Sequence, residues 1–182
     1  MNLERFLIRK KVLRRGHFLL SSGLHSEYYF EKFRILEDPA ATKKLAKVIV
    51  EQFRDKGVEW VIGPLTGGYE IAYEVARNLK CFCGVAEIKD GRRIVGREFD
   101  IEGKTILITD DVLTTGGSIL TTIEAIREKK GNIAGIAVLI DRSSTQMPFE
   151  YFSVYHRSLV NYSPTECPLC KKGGELVRPG TS

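Results

Sequence analysis

Short apolar runs alternate with amphipathic helical patterns along most of this chain, and this alternation restricts the fold more than any other feature. Asp38 and Pro39 form a helix start, and apolar residues recur at helical spacing as far as Gly57. Two further helical patterns cover residues 69–80 and 118–131. The runs that flank these helices are VEWVIG, CFCGVAE, KTILIT and NIAGIAVLI. Strands that alternate with helices predict an α/β fold, with a mainly parallel sheet covered on both faces.

The length of 182 residues and the hydrophobic content of 43% are those of one domain with a single core. We expect this domain to span residues 1–182, with a small N-terminal part over about 1–36 and a C-terminal tail over 163–182. No apolar run approaches the roughly 20 residues that a membrane span needs. The first sixteen residues are too charged for a signal peptide, so a cytoplasmic location is expected.

Basic residues are in excess but are not gathered into one block. The 28 Lys and Arg against 23 Asp and Glu give a formal net charge of +5, which favours anionic partners the size of phosphorylated small molecules. Residues 88–102 are polar and basic, and they predict a long connection or a hairpin without a core of its own.

The segment ILITDDVLTTGGSI, residues 106–119, has two acidic residues at the end of a predicted buried strand. In open α/β sheets, ligands lie at the carboxyl ends of strands, beside the N-terminus of the next helix. The small residues at 114–118 suit a phosphate, whereas the carboxylates of Asp110 and Asp111 suit sugar hydroxyls or a hydrated metal. A ribose 5-phosphate with a second charged group satisfies both requirements. The alternative is that the acidic pair caps the helix and the glycines only turn the chain.

Two common nucleotide-binding motifs, GxxxxGK[ST] and GxGxxG after a strand, do not occur in the sequence, which removes the usual kinase and dehydrogenase interpretations. Residues 106–119 instead resemble the diphosphate-sugar binding signature of the type I phosphoribosyltransferases. GHFLLSSGLHSEYYFEKFRI resembles the hood segment of the orotate phosphoribosyltransferases, and LIDRS at 139–143 resembles their strand-end Asp-Arg. The tail PTECPLCKKGGELVRPGTS resembles that of a subgroup common in thermophiles.

The resemblance implies a type I phosphoribosyltransferase fold with a small N-terminal hood. It also implies a reaction, in which orotate and 5-phosphoribosyl 1-diphosphate (PRPP) give orotidine 5'-monophosphate and diphosphate in pyrimidine biosynthesis. The implied cofactor is Mg²⁺, held through PRPP without direct protein ligands. Relatives are homodimers, and loop 88–99 is expected to close over the neighbouring subunit's site, with no nucleic acid or membrane as partner.

The resemblance also assigns roles to single positions. Asp110 and Asp111 match the acidic pair on the ribose hydroxyls and Lys89 matches a diphosphate ligand, which makes these three the catalytic candidates. Arg142 matches the arginine that faces the orotate carboxylate, an anion that a planar guanidinium binds with two hydrogen bonds. The other PRPP candidates are Thr66, Gly67, Gly68, Val112, Leu113, Thr114, Thr115, Gly116, Gly117 and Ser118. The other orotate candidates are Thr114, Tyr29 and Phe30, with Tyr28 in the same aromatic run.

Three positions depart from the family pattern. Many members have a lysine where this chain has Gly67, and many have another where it has Ser21. The loop of most relatives contains Glu-x-Lys-x-His-Gly, whereas residues 87–91 here read EIKDG, without the histidine. Our hypothesis is that loop arginines supply the missing positive charge; these are Arg92, Arg93 and Arg97.

The sequence predicts structural rather than catalytic roles for the cysteines, the histidines and the tryptophan. Four cysteines, Cys81, Cys83, Cys167 and Cys170, could in principle bind zinc, but a single CxxC is weak support, so free thiols are expected. A structural or capping role is expected for His17 and His25, which have no catalytic partner nearby in sequence. His156 is expected to be structural and Trp60 to lie in the core.

Two other functions remain open at this stage. One is a phosphoribosyltransferase for another base, such as a purine, against which Arg142 and the hood both argue. The other is a PRPP-sensing regulator that binds nucleic acid and does not catalyse. A contiguous basic face or an added DNA-binding helix pair would favour the regulator, and neither is clear in the sequence.

Overall fold

The computed structural model describes residues 2–96 and 98–179. The helices are α1 (Leu3–Arg9), α2 (Phe33–Leu36), α3 (Pro39–Phe53), α4 (Gly67–Leu79), α5 (Gly117–Glu128) and α6 (Pro168–Lys171). The strands are β1 (Leu13–Leu19), β2 (His25–Phe30), β3 (Trp60–Pro64), β4 (Phe82–Lys89), β5 (Arg92–Val95), β6 (Thr105–Leu113), β7 (Asn132–Asp141), β8 (Phe152–His156) and β9 (Asn161–Tyr162). None of the described helices has the length and hydropathy that crossing a membrane requires.

Six of these strands form one sheet in the order β5-β4-β3-β6-β7-β8. The pairs are parallel apart from β4 and β5, which form an antiparallel hairpin. One apolar cluster packs α3 and α4 on one face of the sheet, and a second packs α5 on the other. The predicted α/β class, with a mainly parallel sheet covered on both faces, is therefore confirmed.

The start of α3 shows how local sequence determines an element. The Asp38 carboxylate accepts hydrogen bonds from the backbone N–H groups of Ala40 and Ala41, at 3.0 and 3.1 Å, and so satisfies donors that a helix start leaves unpaired. The helix ends at Phe53 rather than at Gly57, so the predicted end was too late. The chain turns instead over the intervening residues and reaches a φ of +64° at Gly57.

The polar stretch after β4 forms a hairpin, one of the two arrangements that the sequence predicts. Asp90 and Gly91 make its turn with positive φ angles of 51° and 77°, the combination that matches the twist of a tight hairpin. The stretch has no separate core, because Val95 and Ile101 are buried among the residues beneath α5. Strand β8, at the far edge of the sheet, was not predicted.

The hood is a three-stranded sheet in the order β1-β2-β9, and it stands over the carboxyl end of the main sheet. Its third strand comes from residues 161–162, so residues 1–36 do not build the hood alone. The tail extends it further. The backbone N–H of Val177 donates to the carbonyl of His17, and the carbonyl of Val177 accepts from the N–H of Leu19, both at 2.9 Å.

Candidate active site

A cleft of about 610 Å³ lies between the hood and the carboxyl ends of β6 and β7. The hood contributes Tyr29, Phe30 and Lys32 to its wall. The main sheet and the turn after β6 contribute Asp111, Thr114, Thr115 and Arg142. One cleft thus brings together the predicted acidic residue, phosphate turn, arginine and aromatic residues.

The acidic pair lies within β6, which continues to Leu113, rather than after its end. Asp110 and Asp111 are each only 6% exposed. Neighbouring strand residues point to opposite faces, so the two carboxylates have different surroundings. Asp110 faces α5, where its Oδ2 accepts a hydrogen bond of 2.6 Å from the Ser118 hydroxyl. Asp111 lines the cleft, and its Oδ2 lies 2.9 Å from the ammonium group of Lys32.

Burial controls the protonation of Asp110. Removal of this carboxyl from water raises its pKa from 3.8 to about 6, against the opposing effect of the hydrogen bond from Ser118. The adjacent negative charge of Asp111 contributes to this raised pKa. An ionised Asp110 is therefore costly in the folded chain.

Close packing around Asp111 explains the glycine at position 67. A Cβ atom on Gly67 would lie 1.8 Å from Asp111 Oδ2, so any side chain there would displace the carboxylate. Lysine, which many relatives have at this position, does not fit this arrangement. The turn also contains a cis peptide bond between Leu65 and Thr66. Gly68 joins it to β6, because its carbonyl accepts a hydrogen bond of 3.3 Å from the Thr109 hydroxyl.

The turn from β6 into α5 provides an anion site made largely of backbone. Gly116 occupies the N-cap position with a φ of +78°, and no side chain caps the helix. The first N–H groups of α5 therefore have no hydrogen-bond partner within the helix, and they lie at the positive end of its dipole. A Cβ on Gly116 would lie 2.9 Å from the Met147 sulfur, so the turn also requires glycine for packing.

Arg142 follows a buried carboxylate that organises the end of β7. Asp141 accepts hydrogen bonds from the Ser143 N–H at 2.8 Å, the Tyr151 hydroxyl at 2.7 Å and His156 Nδ1 at 2.6 Å. Burial alone would raise the pKa of Asp141, but these hydrogen bonds outweigh it and lower the pKa. His156 thus supports this loop.

The Arg142 guanidinium is largely buried, which lowers its pKa. No carboxylate of the described residues lies within ion-pair distance of it. A buried, unpaired guanidinium favours binding of an anion in the cleft.

Tyr29 and Phe30 line the cleft, whereas Tyr28 lies outside it. The guanidinium of Arg157 stacks over the Tyr28 ring, 4.0 Å from its centroid. Burial raises the pKa of Tyr29, whose hydroxyl therefore stays neutral near pH 7. Two of the three aromatic residues thus form part of the cleft wall.

The β4–β5 hairpin does not reach this chain's own cleft, since none of the described lining residues belongs to it. Lys89 is exposed at the end of β4. Arg92 forms an ion pair with Glu128 on α5. Arg93 donates to the Thr121 hydroxyl at 3.0 Å and to a backbone carbonyl of β4. Arg97 lies outside the described residues.

Lys32 is a site residue that sequence reasoning missed. Its ammonium lies 2.9 Å from Asp111, and both residues line the cleft. The only signal was a basic residue directly after the aromatic run, in a segment that otherwise reads as ordinary hood sequence. A contact between residues 32 and 111 depends on how the hood docks, which local patterns do not encode.

The chain matches the family model of the phosphoribosyl transferase domain over residues 34–168. It is 38% identical to an orotate phosphoribosyltransferase of Caldicellulosiruptor saccharolyticus, over 100% of this chain and 98% of that protein. It is 39% identical to an orotate phosphoribosyltransferase of Thermoanaerobacter sp., over 93% of this chain and 91% of that protein. A crystal structure of orotate phosphoribosyltransferase from Aeropyrum pernix matches with a TM-score of 0.73 and 27% identity, over 85% of this chain and 93% of that one.

Proposed function

This chain belongs to the orotate phosphoribosyltransferase family, with the type I phosphoribosyltransferase fold, and from this we infer that its cleft binds orotate and PRPP. The protein is a transferase of pyrimidine biosynthesis that forms orotidine 5'-monophosphate and releases diphosphate. The observation that carries the site assignment is that the unpaired Arg142 and the buried Asp111 line one cleft with the phosphate turn.

We propose that PRPP is held at the carboxyl end of β6. The backbone N–H groups at the start of α5, with the hydroxyls of Thr114 and Thr115, suit the 5-phosphate. The carboxylates of Asp110 and Asp111 suit the 2- and 3-hydroxyls of the ribose, because a carboxylate only accepts hydrogen bonds and a hydroxyl can donate them. Their negative charge also favours the positive charge that develops on the sugar ring when the anomeric bond breaks.

We propose that orotate lies between Arg142 and the hood. The guanidinium binds the orotate carboxylate with two hydrogen bonds, and its burial strengthens this charge pairing. The rings of Tyr29 and Phe30 cover the planar base, and Thr114 lies within the same cleft. A purine carries no carboxylate for the arginine, so it would leave a buried charge unpaired.

We propose that Lys32 takes the place of the lysines that relatives have where this chain has Gly67 and Ser21. Its ammonium is the cation that stands 2.9 Å from Asp111, beside the turn at residues 66–68. A cation there favours the diphosphate as it leaves with its developing negative charge. The exposed Lys89 adds a second cation if the hairpin of a neighbouring subunit closes over the cleft.

Mg²⁺ is the cofactor that we propose, carried by the diphosphate of PRPP. Three or more potential metal-ligating side chains come together in the described part of the chain only at a site outside the cleft. Asp111 in the cleft and the neighbouring Asp110 are too few for an all-protein cage, but they fit an ion that keeps its waters and is held by substrate oxygens. When bound, Mg²⁺ neutralises charge on the leaving diphosphate.

We propose a homodimer with shared active sites. Leu65, Tyr69 and Tyr73 are exposed apolar residues on the turn before α4 and its first two turns, and the two tyrosines share one helix face. None of the described residues that line the cleft belongs to the hairpin that carries Lys89. A second copy of this chain would cover the apolar face and give the hairpin a site to close. A cytoplasmic location also stays a prediction.

Base selectivity tests the function directly. Purified protein with PRPP and Mg²⁺ is offered orotate, uracil, adenine, hypoxanthine or guanine separately, and base consumption is followed. We expect only orotate to be consumed. In Arg142→Gln we expect kcat/KM for orotate to fall by at least about a hundredfold, which corresponds to a lost charged hydrogen-bond pair of roughly 3 kcal/mol.

The control for this experiment is Arg157→Gln, which alters a hood-facing arginine outside the cleft. It should retain the kcat/KM of the wild type. Consumption of a purine would contradict the assignment of Arg142, and the absence of any turnover would favour a regulator that binds PRPP without catalysis.

A further inference from the structure

Two histidines of the hood and two cysteines of the tail converge at one point away from the cleft. His17 lies on β1 and His25 begins β2, while Cys167 directly precedes the short helix α6 and Cys170 lies within it. One potential ligand atom from each residue lies within 4.8 Å of the other three. The sequence separations reach 153 residues, so this cluster exists only because the tail returns to the hood.

The distances within the cluster approach those of a tetrahedral metal centre. The sulfurs of Cys167 and Cys170 lie 3.5 and 3.6 Å from His17 Nε2, and the Cys170 sulfur lies 3.3 Å from His25 Nδ1. Tetrahedral zinc with ordinary bond lengths separates sulfur and nitrogen ligands by about 3.5 Å. The two ring nitrogens are 2.9 Å apart, so the imidazoles would need to separate by about 0.4 Å.

A hydrogen bond from His17 to the backbone leaves the other ring nitrogen of this histidine free to bind a metal. Its Nδ1 lies 3.1 Å from the carbonyl oxygen of Gly174, which can only accept a hydrogen bond. The ring proton is therefore on Nδ1, and Nε2 presents its lone pair to the two cysteines. A backbone carbonyl behind a histidine is the usual outer partner that orients a metal ligand.

Burial points to a structural site rather than a catalytic one. Cys167, His17 and His25 are at most 6% exposed, and only Cys170 is exposed. Four protein ligands of this kind complete a tetrahedral shell and leave no position for substrate. Soft thiolates with imidazoles favour zinc over magnesium or calcium.

We propose that His17, His25, Cys167 and Cys170 bind one structural Zn²⁺ that fastens the tail to the hood. The backbone of Val177 in the tail is hydrogen-bonded to β1, and Pro179, two residues later, lines the cleft wall. The metal thus holds the tail segment that completes one side of the substrate cleft. The other two cysteines, Cys81 and Cys83, take no part; burial raises the pKa of Cys83 to about 11 and keeps it as a neutral thiol.

Metal analysis tests the proposal on the full chain. Protein purified from zinc-supplemented medium is expected to contain about one zinc per chain, and Cys170→Ser, at the exposed ligand, less than about a tenth of that. The control, Cys81→Ser with Cys83→Ser, removes two thiols outside the cluster and should keep the zinc. Zinc-free wild-type protein, or iron in place of zinc, would overturn the proposal.

Cobalt binding gives a second readout that does not depend on how the variants fold. Wild-type protein stripped with a chelator and given Co²⁺ should develop the visible bands of tetrahedral cobalt and a thiolate charge-transfer band, both lost when zinc is added. Removal of the metal should also lower the Tm by about 5 °C or more. Octahedral cobalt spectra without a thiolate band would mean a purely hydrogen-bonded cluster and would overturn the proposal.

Discussion

Asp110 is an ionisable residue at a buried position, where burial makes its charged form unfavourable. It is 6% exposed, adjacent to a second carboxylate, and its pKa is raised to about 6. A residue selected for stability alone would be neutral here, since a buried charge without a cation partner destabilises the folded state. The proposed sugar hydroxyls would compensate this carboxylate only when substrate is bound.

The elevated pKa of Asp110 predicts how its replacement changes stability with pH. The folded chain binds the proton more tightly than the unfolded chain, whose carboxyl has a pKa near 3.8, so folding stability falls as pH rises from about 4 to about 6. Asp110→Asn removes this loss. Relative to the wild type, we expect Asp110→Asn to gain more stability at pH 7 than at pH 4, and the difference between the two gains in unfolding free energy should be about 3 kcal/mol at most.

Denaturant unfolding at the two pH values measures this double difference, and Asp38→Asn is the matched control. The hydrogen bond from Lys10 lowers the pKa of Asp38, so its contribution to stability is present above pH 3.8 and is lost as pH falls. Asp38→Asn should therefore change little between pH 4 and pH 7, whereas Asp110→Asn should stabilise the chain more at pH 7. Equal behaviour would contradict the raised pKa of Asp110.

At the scale of elements, the β4–β5 hairpin is held against α5 by two arginines. Arg92 pairs with Glu128, and Arg93 donates to Thr121 as well as to its own strand. These contacts hold the β5 side of the hairpin next to the turn, while Lys89 on the β4 side stays exposed. The hypothesis that arginines replace the histidine of relatives therefore has two parts: orientation of the hairpin and supply of positive charge.

Replacement of Arg92, Arg93 and Arg97 by alanine tests this hypothesis. We expect kcat/KM for PRPP to fall by about tenfold or more, equivalent to roughly 1.4 kcal/mol of transition-state stabilisation, because the hairpin loses both orientation and charge. Steady-state kinetics with varied PRPP measures the change. Glu102→Ala is the control, since it breaks an exposed ion pair, with Lys130, outside the hairpin and the cleft. Unchanged turnover in the triple variant would show the hypothesis to be wrong.

At the scale of the whole molecule, the cleft is built by segments from both ends of the chain and, in our proposal, by a second copy. The hood, the carboxyl edge of the sheet and Pro179 of the tail form its walls within one chain. Lys89 belongs to none of these walls in the described structure. If each active site of the dimer uses residues of both subunits, then a subunit without the acidic pair and a subunit without Lys89 should together restore activity.

Hybrid dimers measure this sharing. Asp110→Asn with Asp111→Asn in one chain, and Lys89→Ala in the other, should each reduce homodimer activity to less than about a hundredth of the wild type. In the hybrid, one of the two sites has the intact acidic pair of the Lys89→Ala chain and the intact Lys89 of the other chain. About half of the wild-type activity per dimer should therefore return. Co-expression with two different tags isolates the hybrids. Hybrids as inactive as both parents would contradict shared sites.

The sequence by itself determined the alternation of strands and helices in the main sheet apart from the edge strand β8, which was not predicted. Strand and helix patterns, the Asp38 cap and the segment at 106–119 depend on periodicity and turn residues within a few positions, and such local signals are readable without coordinates. The acidic pair and the phosphate turn were predicted from the rule that parallel strands present their carboxyl ends at one edge. Arg142 was predicted from the resemblance to the orotate phosphoribosyltransferases.

Only the tertiary structure decided which distant segments meet. It added β9 to the hood, brought Lys32 to Asp111, required glycine at position 67, and joined His17 and His25 to Cys167 and Cys170. No local sequence pattern predicts these contacts, because each one depends on how one element packs against another. A single CxxC therefore carried too little information, and only the return of the tail to the hood supplied the two histidines that complete four ligands.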